Sequence, residues 1–238
     1  MDCMDAMKQF PDGFFDLAIV DPPYGLKIGS HAGGAVYGES KTKSRLRHAG
    51  GKVLDCWRNQ YHTFSDEKPP TQEYFDELKR VAKNRIIWGG NYFLDFLGRT
   101  SCMITWDKGR RNMDQADCEI AWTDLRDNSR IVNYIWNGLL QENMKDKEVR
   151  FHPTQKPVGL YSWLLEKYAR PGMKILDTHA GSASSLVACR LAGLDAWGFE
   201  IDPVYYEKAK ARLEAARAQV TINDLISAAE QTTMDALT

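Results

Sequence analysis

Met173-Lys174-Ile175-Leu176-Asp177-Thr178-His179-Ala180-Gly181-Ser182 reads as a short apolar strand that ends on an acid and opens into a turn of small residues. Ala183 to Leu191 has helical spacing. Asp195-Ala196-Trp197-Gly198-Phe199-Glu200 is a second strand, again ending on an acid, 23 residues after Asp177. Strand, turn, helix and strand at this spacing make a βαβ unit, and such units build a parallel sheet with helices on its faces. The expected fold class is therefore α/β, with a doubly wound, mostly parallel sheet.

Ligands in such sheets bind outside the carboxyl ends of the strands. A turn of small residues lets a ligand approach the backbone and the helix N-terminus. An acid closing the next strand can accept hydrogen bonds from ribose hydroxyls. The plain structural alternatives are an ordinary tight turn at Gly181 and a solvated strand end at Glu200. The turn has one glycine and no Gly-Lys-Ser/Thr, so it is neither a dinucleotide fingerprint nor a P-loop. A nucleoside carrying an amino acid fits better, which points to S-adenosylmethionine (SAM).

A second strand end carries different chemistry. The apolar run Phe14 to Val20 stops at Asp21-Pro22-Pro23-Tyr24. Each proline fixes its own φ and carries no N–H, and each restrains the residue before it. The Asp21 carboxylate and the Pro22 carbonyl become two acceptors with little freedom, beside the Tyr24 ring. That set suits a flat heterocycle bearing an exocyclic amine.

Residues 26–70 follow directly. They are glycine-rich and lack a period, with Lys41, Lys43, Arg45 and Arg47 alternating. Lys27 to Arg58 holds seven Lys/Arg against two acids. Basic residues interleaved with Trp57, Tyr61 and Phe64 suit a phosphate backbone and unstacked bases, and the expectation is a basic, mobile insertion that contacts nucleic acid. Lys108, Arg110 and Arg111 form a second basic loop, for which a plain polar turn is the simpler reading. A helix is expected over Thr71–Lys83, with strands over Arg85–Trp88, Ser101–Trp106, Cys118–Trp122 and Arg130–Trp136. Further helices are expected over Val158–Tyr168 and Val204–Ala218, and a surface helix over 220–238.

The 238 residues suggest one domain spanning the whole chain. The net charge of −1 excludes a protein that merely coats nucleic acid, so any such surface is a local patch. No apolar run reaches membrane-span length, the N-terminus lacks signal-peptide character, and five scattered cysteines without a C-x-x-C pair argue for reduced thiols. A cytoplasmic protein with no membrane association and no metal site is expected.

Taken together, the motifs resemble those of the amino-methylating DNA methyltransferases, which act on adenine N6 or cytosine N4. Asp21-Pro22-Pro23-Tyr24 matches the catalytic D/N/S-P-P-Y/F motif. Asp177 to Ser185 resembles the SAM loop D-x-F-x-G-S-G-T-T, and His152 to Pro157 matches the preceding H-P-T-Q-K-P. Gly198 to Pro203 matches the strand carrying the ribose acid. The catalytic motif precedes the SAM loop, as in the circularly permuted β group, and the likeness covers about residues 2–213.

The resemblance implies catalytic roles for Asp21, Pro22, Pro23 and Tyr24. It implies cofactor contacts from Asp2, Cys3, Thr154, Gln155, Lys156, Asp177, Ala180, Gly181, Ser182, Glu200, Ile201 and Asp202, with Lys156 on the SAM carboxylate. The substrate implied is DNA, with a flipped base, and Asp at the first motif position favours adenine. Some β-group relatives dimerise, so a homodimer is a further expectation. Two features depart from the pattern. Ala183 stands where a second glycine is usual, so that either the turn is helical there or the cofactor sits differently. No strand precedes Asp2, so one edge strand is expected to be missing. The gap Asn137–Arg150 is too short for a separate recognition domain, which leaves sequence reading to residues 26–70 and the basic loop. RNA adenine and protein glutamine methyltransferases, and a non-catalytic nucleic-acid-binding subunit, are the competing classes.

Overall fold

The computed structural model describes residues 1–26, 68–109, 111, 116–137 and 140–218. In chain order these form α1 (Cys3–Met7), β1 (Leu17–Val20), α2 (Gln72–Val81) and β2 (Arg85–Trp88). A 3-10 turn (Gly90–Tyr92) and α3 (Leu94–Leu97) follow, then β3 (Cys102–Asp107), β4 (Cys118–Thr123) and β5 (Arg130–Asn133). The hairpin β6 (Trp136–Asn137) and β7 (Leu140–Gln141) leads to α4 (Val158–Tyr168) and β8 (Lys174–Asp177). The described chain ends with α5 (Ser184–Leu191), β9 (Asp195–Gly198) and α6, helical over residues 203–218. Lys41, Lys43, Arg45, Arg47, Arg110 and the expected C-terminal helix lie outside the described residues.

Among the described residues one sheet has the order β5-β3-β4-β2-β1-β8-β9. Only β4 runs against its neighbours; the β1–β2, β1–β8, β8–β9 and β3–β5 pairs are parallel. The sheet is doubly wound because successive residues of β1 feed opposite cores. Leu17 and Ile19 pack with Trp88, Trp106 and the Leu160, Leu164 and Leu165 stripe of α4. Ala18 and Val20 pack with Tyr74, Phe75 and Leu78 of α2. A strand buried on both faces needs an unbroken apolar run rather than alternation, which is what Leu17-Ala18-Ile19-Val20 supplies.

The expected segment Arg130–Trp136 splits: Arg130–Asn133 lies at the end of the sheet, and Trp136 belongs to the β6–β7 hairpin. Thr71 holds the N-cap position of α2 in extended backbone, without a side-chain cap bond. Among the described residues no helix is long and apolar enough to cross a membrane.

Candidate active site

The chain leaves β1 toward β2 on one side, while β8 leads to β9 on the other. The carboxyl ends of β1 and β8 therefore flank the point where the winding reverses, the place for a ligand in such a sheet. Asp21 follows the first of these strands and Asp177 ends the second.

The tetrapeptide is braced by three elements. The Tyr24 hydroxyl donates to Asp21 Oδ1 at 2.5 Å, and the Lys156 ammonium donates to Asp21 Oδ2. The Tyr24 ring stacks on half-exposed Tyr92, centroids 5.0 Å apart and planes 21° apart. Gly89 makes room for it: an added Cβ would lie 2.1 Å from Tyr24 Cε1, and its φ of +66° favours glycine in any case. Burial and the Asp21 carboxylate push the Tyr24 phenol well above its ordinary value, so it stays a donor.

Lys156 is a buried charge, with its side chain 5% exposed. Its ammonium lies 3.1 Å from Glu119 Oε2 as well as on Asp21. Burial alone would favour neutral lysine, but the two carboxylates outweigh it and raise its pKa. Glu119 in turn pairs with Lys108. Burial opposes its ionisation too, and the two ammonium groups still hold it down to about 2.

The second half of the site is the turn after β8. Asp177 is buried; it accepts from the Ser185 hydroxyl and from the His179 N–H at 3.0 Å. Burial dominates and raises its pKa to about 7. Glu200 accepts from Gly181 N–H at 2.8 Å and Asp202 N–H at 2.9 Å, one bond to each oxygen. A carboxylate offers about four lone-pair sites, so both oxygens retain acceptor capacity for a ribose diol. Ile201, next to it, is 70% exposed. This donor and acceptor set fits an adenosyl group.

Ala183 is not in the helix. It holds the left-handed conformation at φ 58°, ψ 27°, and α5 begins at Ser184. The turn therefore keeps the geometry a glycine would give, against a penalty of roughly 1–2 kcal/mol for a residue with a Cβ. His179 fills the position of the usual aromatic. Its ring meets Tyr74 edge-on at 5.5 Å, and burial pushes the imidazole down to about 4.

A family model described as DNA methylase (N6_N4_Mtase) matches residues 15–211. The chain belongs to the N6/N4 DNA methylase family. Its members are SAM-dependent and methylate adenine N6 or cytosine N4 in DNA. The Escherichia coli (strain K12) protein YubD is 25% identical over 232 residues, covering 91% of this chain and 89% of YubD. The M1.HpyAVI–SAM complex superposes with TM-score 0.51 at 19% identity, covering 89% of this chain and 96% of that one. The cytosine-N4-specific PvuII DNA methyltransferase gives 0.55 at 11% identity, covering 92% and 90%. These two likenesses concern the fold.

The methylase uses the remaining sequence-derived residues in several ways. The N-terminal ammonium donates to Glu200 O at 2.8 Å, and Cys3 Sγ lies 4.0 Å from His179 Nε2, so the start of α1 adjoins the turn after β8. The Asp2 carboxylate caps α1 through Met4 N–H at 2.7 Å. Asp202 caps α6, accepting from Val204 N–H at 2.8 Å and Tyr205 N–H at 3.1 Å. Gln155 braces its own loop, donating to Val149 O and accepting from Phe151 N–H, both at 3.2 Å. Thr154 Oγ1 lies 3.1 Å from His152 Nδ1, and that ring faces Gly181. Ala180 donates its N–H to Phe199 O at 2.8 Å, and Ser182 Oγ meets Ser184 Oγ at 3.0 Å. Lys108 is engaged with Glu119 and Arg111 with Asp107, so both basic-loop cations that are described have acidic partners.

Sequence reasoning overlooked Glu119, Gly89, Tyr92, Tyr74 and Arg212. Tyr74 Oη lies 2.6 Å from Thr178 Oγ1, and Arg212 donates to Ser182 O at 2.9 Å. Glu119 left one trace, a charge within the run Cys118 to Trp122, whose other residues are apolar. The others carry no local signature.

Proposed function

We propose that this methylase transfers the SAM methyl group to N6 of an adenine extruded from DNA. The observation that carries the reading is that Asp21 and Tyr24 follow β1 while the Gly181–Glu200 turn follows β8, its parallel neighbour in the sheet. When bound, SAM supplies a methyl group on a positively charged sulfur. Glu200, Ile201 and the Ala180–Ser182 turn would hold its adenosyl part, with Cys3 nearby.

The rest is done by the chain's own residues and the target. An exocyclic amine is a poor nucleophile because its lone pair is delocalised into the ring. Asp21 and the Pro22 carbonyl accept its two N–H bonds, which favours a more tetrahedral nitrogen and localises the lone pair. The Tyr24 ring supplies a stacking face, worth on the order of 1–3 kcal/mol. Alignment of this kind can supply roughly 7–11 kcal/mol of a barrier. The Asp21 carboxylate also stabilises the positive charge that develops on the nitrogen. The amine must leave the duplex to reach the site.

The carboxylate at the first motif position supports adenine over cytosine. Mass spectrometry of nucleosides from duplex DNA treated with protein and SAM tests this, with RNA and protein substrates alongside. N6-methyladenine is expected. N4-methylcytosine alone would overturn the base assignment, and methylation confined to RNA or protein would overturn the substrate.

A further inference from the structure

The charges around Asp21 form one chain rather than separate pairs. Lys108 Nζ pairs with Glu119 Oε1, Glu119 Oε2 lies 3.1 Å from Lys156 Nζ, and Lys156 Nζ donates to Asp21 Oδ2. The Tyr24 hydroxyl, 3.4 Å from the same ammonium, takes the other Asp21 oxygen. Four separate segments meet here: the strand end carrying Asp21, the loop after β3 carrying Lys108, the start of β4 at Glu119, and the His152–Pro157 loop.

Two acids and two ammonium groups balance within this cluster. Two carboxylates this close to one ammonium would repel each other without it, and one would turn away or take up a proton. The Lys156 ammonium also faces the rings of Trp88 at 5.4 Å and Tyr24 at 5.8 Å, which limits where it can go. With one protein donor on each oxygen, the plane of the Asp21 carboxylate is fixed. Each oxygen still keeps a lone pair for the target amine.

We propose that Lys156 and Glu119 are positioning residues for Asp21: Lys156 clamps the carboxylate, and Glu119, held by Lys108, clamps Lys156. The assignment rests on the methyl-transfer reading above. It differs from the resemblance, which would place Lys156 on the cofactor and Lys108 on DNA. The two roles separate in kinetics, because a clamp on Asp21 acts on kcat and a cofactor ligand acts on SAM affinity.

The test compares wild type with Lys156→Met, Glu119→Gln and the double variant, measuring kcat on duplex DNA and SAM affinity by calorimetry. Misplacing a reacting group by about 1 Å can cost roughly 10²-fold, so Lys156→Met should lose on the order of 10²-fold in kcat while SAM affinity is unchanged. Glu119→Gln should fall in the same direction by less. The double variant should be no slower than Lys156→Met, because both residues act through one contact.

Lost SAM affinity with kcat retained in Lys156→Met would make Lys156 a cofactor ligand and overturn the proposal. Multiplying effects in the double variant would break the chain into independent parts. If Lys156→Met does not fold, Glu119→Gln decides alone, and wild-type kcat there refutes the clamp. A wild-type protein that methylates no base sinks the functional reading itself, and the clamp with it.

Discussion

Replacing Gly89 by alanine should disable the target-base site while sparing the cofactor site. Two separate penalties meet at this residue. The left-handed backbone at φ +66° disfavours any Cβ by roughly 1–2 kcal/mol. The added carbon would also lie 2.1 Å from Tyr24 Cε1, with Cζ and Cδ1 at 2.5 and 2.6 Å. Carbon contacts are comfortable at about 3.5 Å or more, so the ring must recede by about 1.4 Å. Tyr24 cannot do this and keep both its 2.5 Å bond to Asp21 and its stack on Tyr92. Overpacking of this kind costs about 1–3 kcal/mol, giving roughly 2–5 kcal/mol in all. Turnover should fall by about 10²-fold, since the stacking face is misplaced by more than 1 Å.

Gly193→Ala is the control. Its φ is also +66°, but no atom lies within 4 Å of the added Cβ, so it carries the backbone penalty alone. Thermal unfolding of both variants, methyl-transfer kcat, and SAM affinity by calorimetry make the comparison. Gly89→Ala with near wild-type kcat, or with a stability loss no larger than that of Gly193→Ala, would refute the steric reasoning.

Other outcomes follow from the same geometry. Asp21→Ala should abolish methyl transfer while leaving SAM binding intact by calorimetry; near-full turnover would remove Asp21 from the chemistry. Glu200→Gln weakens a charged acceptor by about 1.5–3 kcal/mol, so SAM affinity should fall by roughly one to two orders of magnitude. Unchanged affinity would displace the cofactor from this turn. Asp177 has its folded pKa raised from 3.8 to about 7 by burial, so its contribution to stability is fully present below pH 3.8 and is lost as pH rises through 7. The stability difference between wild type and Asp177→Asn, followed by denaturant unfolding, should therefore shift against wild type between about pH 4 and 7. A difference flat over that window would show that the carboxyl is not held protonated.

The motif residues were legible because their chemistry is local. Pro22 and Pro23 rigidify Asp21 and Tyr24 through their own rings, and the small turn after Asp177 announces itself by composition. Gly181 and Glu200 do meet, 2.8 Å apart, as the βαβ reading requires. Ala183 was legible as an anomaly but not in its outcome. The sequence set a helical turn against a differently seated cofactor, and the fold holds Ala183 left-handed rather than helical.

Residue type and order therefore determined the sheet class, the two strand ends flanking the switch point, and the acids standing on them. The tertiary structure decided which charges share a partner. Lys156 and Lys108 read as cofactor and DNA ligands because a lysine in a loop declares only its charge. Its counter-ion is set by a register across β4, where Glu119 comes between them, and by the close approach of the His152–Pro157 loop to β1. Such pairings depend on long-range packing, which no spacing along the chain encodes.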